Sequence, residues 1–176
     1  MELNELIKDL ALRQKKGLHF IMASVVIWSG VLAVYLTNLG MVHKNMLAFC
    51  CTAVLMPLAV GLSKLLGIEF SSKSNPLSKA GILFSVNQML YILIAMWMLA
   101  AMPDKMLMVY TMIFGAHLMP FSWLYSSKSY LIFSIAIPLL SLVVGLTCQP
   151  WMLAAMMIVI QIVLSACLHF EVKRMA

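Results

Sequence analysis

Few residues in this chain could do chemistry, and most of those sit inside long apolar runs. His117 is the one ionisable side chain near the middle of such a run, and Asn87, Gln88 and Gln161 are the strongest uncharged hydrogen-bonding groups there. Trp28 adds an indole N–H. A helix rises about 1.5 Å per residue, so depth can be counted from the basic end of each run. Asn87 then lies at about 10 Å, Gln88 at about 12 Å, His117 and Gln161 at about 13 Å, and Trp28 at about 15 Å. Pro57 and Pro138 share that level, and Pro120 follows three residues after His117. A proline inside a helix removes one N–H donor and frees a carbonyl, which inside a bilayer must find another partner. These prolines are therefore expected to break their helices. A midplane layer of polar groups and broken helices is where carriers build substrate sites. The same layer also serves as structural glue, since amides and imidazoles hydrogen-bond across membrane helices for about 0.6 kcal/mol each.

Other chemistries find less support. His117 has no second histidine or carboxylate near its depth, so no metal site is expected. Seventeen methionines could offer thioethers to Cu(I), but Met is also a flexible filler of apolar packing. Hydrolase elbows, zinc-protease helices and phosphate-binding glycine loops are not found in the sequence. No enzyme and no cofactor is expected.

The elements that must position these residues follow from composition. The chain has 176 residues, of which 64% are hydrophobic and 10% charged. A soluble domain runs about 45–50% apolar and about 25% charged, so a water-soluble fold is excluded. Apolar runs at residues 18–38, 45–66, 80–102, 106–126, 129–147 and 151–170 are each long enough to cross a hydrocarbon core about 30 Å thick. The fold class is therefore an all-α membrane protein. Short connectors arrange its six transmembrane helices as three antiparallel hairpins within a bundle over 18–170. Residues 1–17 precede the bundle as an amphipathic interfacial helix: Leu3, Leu6, Ile7 and Leu10 repeat at helical spacing, with Glu2, Glu5, Lys8 and Asp9 between them. Residues 171–176 form a short tail.

Charge placement orients the bundle. With the N-terminus in the cytoplasm, all of the twelve Lys and Arg except Lys44 and Lys105 fall on the cytoplasmic side, Lys73 among them. Both termini are then cytoplasmic, and Cys148 lies outside. The net charge of +6 is read as this orientation signal and as affinity for anionic headgroups, with no nucleic acid as partner. Cys50, Cys51 and Cys167 lie in apolar runs, so a disulfide framework is not expected. A weak internal repeat pairs Leu55-Met56-Pro57 with Leu118-Met119-Pro120. Small residues at four-residue spacing, Gly81 with Ser85 and Ser141 with Gly145, suit close helix contacts.

The opening Arg13-Gln14-Lys15-Lys16-Gly17-Leu18-His19-Phe20, leading into the first run, resembles a family of uncharacterised six-span membrane proteins from Gram-positive bacteria. That resemblance implies no activity. Size and span number are also similar to the substrate-binding subunits of energy-coupling-factor vitamin transporters. Those subunits cap their site with a long first outer loop and carry alanines at four-residue spacing on their first span. Here residues 39–44 are a short loop, and Ala23 is followed by Ile27. The expected function is to bind or transport a neutral or lipophilic small molecule in a midplane cavity, with Asn87, Gln88, His117, Gln161 and Trp28 lining it. The alternative is a non-transporting partner subunit or sensor, or a homo-oligomer, that acts through its helix faces.

Overall fold

A computed structural model describes residues 2–72 and 74–175. Lys73, used above in the orientation argument, lies outside the described residues. The chain is helical throughout, with no strand among the described residues. An N-terminal helix α1 (Leu3–Arg13) is followed by a single 3-10 turn at Lys15–Gly17 and by α2 (Leu18–Tyr35). Then come α3 (Met41–Ala53), α4 (Leu55–Leu65), α5 (Leu77–Ala101), α6 (Pro103–Ala116), α7 (Met119–Leu124), α8 (Lys128–Thr147) and α9 (Pro150–Lys173). Six segments are long and apolar enough to cross a membrane: Lys15–Tyr35, Met41–Leu65, Leu77–Ala101, Pro103–Leu124, Lys128–Thr147 and Pro150–Lys173. Each span starts ahead of the apolar boundary read from sequence, and the first four end short of it. α9 continues through Glu171 to Lys173, so the first half of the expected tail is helix.

The prolines act unequally. The second span is interrupted at Val54 and the fourth at His117–Leu118, in each case just ahead of a proline, Pro57 or Pro120. The ring of a proline clashes with the carbonyl four residues back, and its missing N–H leaves that carbonyl unbonded. Pro138, expected to break the fifth span, does not do so: α8 runs uninterrupted from Lys128 to Thr147. There the neighbouring helix fits the ring. A Cβ on Gly115 of α6 would stand 2.6 Å from Pro138 Cδ and from Ile137 Cβ, so only glycine lets α6 pack so closely on α8. Farther along the same contact, a Cβ on Gly145 of α8 would collide with Met108 of α6.

The core is centred on the first span. Half of its residues (50%) are buried, against 11% for α5. α9 packs along α2, and Leu153, Ala154, Met157 and Leu164 are closed off together with Trp28 and Val31. α1 folds against the base of this core. Glu2 N donates to Glu5 Oε2 at 3.0 Å in its first turn. Ile7, Leu10 and Ala11 are buried, whereas Leu3 stays exposed. Asn75, just ahead of α5, donates through Nδ2 to Leu6 O at 2.8 Å and to Asp9 Oδ2 at 3.0 Å. Arg13 completes that corner on Asp9 at 2.7 Å, which holds the Asp9 carboxyl below its usual range, with Asn75 adding to the effect.

Candidate functional site

The midplane residues separate into three environments. Gln161 and Ser24 form one: Ser24 Oγ donates to Gln161 Oε1 at 2.9 Å, and both residues are buried. Gln161 Nε2 has no hydrogen-bond partner among the described residues, and neither does Ser165 Oγ one turn on. The second is aromatic. Trp28 meets Phe114 edge to face at 6.0 Å between ring centroids, and Phe114 meets His117 at 5.2 Å. His117 then meets Phe121 at 6.0 Å, and its Nδ1 lies 2.5 Å from Phe114 O, in the gap between α6 and α7. The third environment faces outward. Asn87, expected to turn into the bundle, is exposed on α5 and donates through Nδ2 to the Tyr91 hydroxyl at 3.1 Å. Gln88 is half-buried. The depth count could match heights but not directions, so Asn87 shares a level with Gln161 without sharing a face.

Side chains fill the level of Trp28, Met157 and Gln161. The space accessible from outside lies elsewhere. At the base, α1, α7 and α9 border a cavity of about 1050 Å³ that includes Lys16, Lys128, Glu171 and Arg174 in its wall.

Beside that cavity the chain builds its densest polar cluster. Lys15, Lys16 and Gly17 all have left-handed backbones, with φ of 42°, 52° and 70°. This elbow turns α1 into α2 and pushes Lys16 inward, where its side chain is 3% exposed. Lys16 Nζ donates to Glu171 Oε2 at 2.7 Å and reaches Ser126 O at 3.4 Å. Glu171 also accepts from Ser127 Oγ at 2.7 Å, Ser129 Oγ at 2.6 Å and Ser129 N at 2.9 Å. The last of these satisfies an N–H at the start of α8, which would otherwise lack a partner. Tyr130 Oη donates to Lys16 O at 2.8 Å, and Tyr125 Oη donates to Gln14 Oε1 at 2.8 Å. Burial pushes the Tyr125 hydroxyl well above its usual pKa, so it stays a neutral donor. Stacking of Tyr125 on Phe121 and Tyr130 joins this cluster to the aromatic file that runs through Trp28 to Tyr110 and Phe49.

Sequence reasoning missed this cluster. Two signals were available: a glycine directly after two lysines at the mouth of the first span, and a single carboxylate in the last span. Among the described residues, no three His, Cys, Asp or Glu side chains gather as a metal site would require.

Six long apolar helices sharing a buried, largely aliphatic core define a polytopic membrane protein. The chain belongs to the family of unknown function DUF7010, which matches residues 3–171. No curated protein and no solved structure matches it.

Proposed function

We propose that this is a non-enzymatic, multi-pass protein of the bacterial cytoplasmic membrane that works as a helix-packing subunit, associating with a second copy of itself through the third span. In this reading both termini are cytoplasmic and the spans form three antiparallel hairpins. Charge placement supports the orientation, as does the meeting of Lys16 with Glu171 at one end of the bundle.

One observation carries the proposal: an amide sits on the outer surface near the middle of α5. Facing hydrocarbon, an unpaired amide costs several kcal/mol. Asn87 has only Tyr91 beside it, and its carbonyl oxygen has no partner among the described residues. Leu83, Asn87, Leu90, Ile94 and Trp97 are all exposed and follow a four-three spacing. That is the heptad seam of left-handed helix pairs, with an asparagine at its second position. An amide both donates and accepts, so it complements its own copy across a two-fold axis. The test is the monomer–dimer equilibrium of fluorescently labelled protein in lipid vesicles. Asn87→Leu should weaken the dimer by about three- to twentyfold, the range expected of interhelical polar contacts. A wild-type protein that stays monomeric at every protein-to-lipid ratio refutes the proposal.

The midplane ligand reading keeps one specific observation. Gln161 Nε2 and Ser165 Oγ are two buried, unpartnered groups one turn apart, which a neutral acceptor could satisfy. In that case Gln161→Leu abolishes ligand binding or transport in a protein that still purifies folded and dimeric.

A further inference from the structure

We propose that the basal cavity is a headgroup site for an anionic phospholipid of the leaflet on which α1 lies. Its wall carries four cations, Lys8, Lys16, Lys128 and Arg174, and one carboxylate, Glu171. Glu171 is already committed to Lys16 at 2.7 Å. No carboxylate pairs with Lys8, Lys128 or Arg174 among the described residues, and all three are exposed. They come from three separate elements: Lys8 from α1, Lys128 from the first turn of α8, and Arg174 from the C-terminal cap of α9. Convergence of three free cations on one concavity suits a phosphate, which arginine can grip with two parallel N–H donors.

The remaining wall selects the lipid form of that phosphate. Leu3, Trp123 and Phe170 line the same cavity and are 52%, 51% and 61% exposed. An apolar flank beside a basic rim fits a molecule that is charged at one end and hydrocarbon at the other. Tryptophan and phenylalanine are also the side chains that settle where headgroup meets acyl chain. Basic pockets between helix ends hold anionic headgroups by this combination, and each cation near the surface contributes about a fivefold gain in affinity. A volume of about 1050 Å³ accommodates a headgroup with its glycerol and the first part of the chains. The Lys16–Glu171 pair forms the floor. Because it is internally neutralised, it sets the depth of the site without competing for the phosphate.

The experiment uses the full chain, delipidated in neutral detergent and titrated with phosphatidylglycerol or phosphatidylcholine, with bound lipid counted by native mass spectrometry. The combined variant Lys8→Gln, Lys128→Gln, Arg174→Gln is compared with a control of equal charge, Lys64→Gln, Lys79→Gln, Lys173→Gln. One phosphatidylglycerol should remain bound to the wild type and to the control. The basal variant should hold it about a hundredfold more weakly, with phosphatidylcholine indifferent to either set. Equal losses in both variants overturn the proposal, because net charge alone would then explain binding. Displacement of the lipid by millimolar inorganic phosphate overturns it as well, because the apolar flank would then contribute nothing. Since the three side chains are exposed and make no hydrogen bond among the described residues, an unchanged circular dichroism spectrum and elution volume accompany the expected result.

Discussion

Removing the Glu171 carboxylate should expose how much stability rests on the basal cluster. In Glu171→Ala the Lys16 ammonium, 3% exposed in the native protein, keeps only the Ser126 carbonyl at 3.4 Å as a partner. Breaking a buried ion pair from one side costs about 3–5 kcal/mol, mostly through the charge left behind. The Glu171 side chain is itself 23% exposed, so water can enter the vacated space, and the lower end applies, about 3 kcal/mol. Ser127 and Ser129 lose an acceptor too; Ser129 lines the open cavity and can turn to water, whereas the buried Ser127 hydroxyl adds to the cost. Lys16→Met should cost less, about 1 kcal/mol, because the carboxylate keeps three donors. Combining Lys16→Met with Glu171→Ala should cost less than the two single changes added together, by about 2 kcal/mol. For a chain of this length, 3 kcal/mol corresponds to a fall in Tm of about 6–12 °C. The assay is equilibrium unfolding of the purified protein in mixed micelles, which avoids the irreversibility of thermal scans. A Glu171→Ala protein within about 1 kcal/mol of wild type would behave as an exposed ion pair does, and the reasoning would be refuted.

Three further outcomes follow from packing and orientation. Gly115→Ala forces a methyl to 2.6 Å from Ile137 and Pro138 and should cost about 1–3 kcal/mol in the same assay, whereas Gly61→Ala, which meets nothing within 4 Å, should be neutral or stabilising; equal effects would contradict the close α6–α8 contact. Gly17→Ala places a side chain on a φ of 70°, and the left-handed backbone should cost about 1 kcal/mol or more, so a neutral substitution would argue against the elbow. A membrane-impermeant thiol reagent applied to intact cells should label Cys148, which is exposed and in a connector, and should miss a Lys79→Cys residue near the base; the reverse pattern would invert the topology.

Periodicity and charge made the spans legible, because apolar length and lysine placement are one-dimensional properties. The two lysines that the charge count assigns to the outer side now have a physical account. Lys44 Nζ donates to Tyr35 O at 3.1 Å, and Lys105 Nζ donates to Gly145 O at 2.8 Å, so each neutralises the carbonyl end of a helix. The polar layer was legible only in height. Rotation about each helix axis decides whether Asn87 faces a neighbour or the outside, and an all-apolar helix such as α5 gives no amphipathic stripe to fix that rotation. Pro138 was misjudged for a related reason, since its tolerance depends on Gly115 of another helix, which no local rule sees. The basal cluster escaped because it joins residues 155 positions apart, Lys16 with Glu171, whose separate surroundings are unexceptional.

That separation bears on the order of biosynthesis. The first span leaves the ribosome with its lysine elbow complete, but the carboxylate that matches it is made 155 residues later. Until α9 is inserted, Lys16 must sit among lipid phosphates or water, and the groove on α2 that α9 fills must stay covered by lipid or by the insertion machinery. Folding of the bundle is thus a closure that waits for α9, and nascent chains interrupted before it carry an unmatched cation and an open seam.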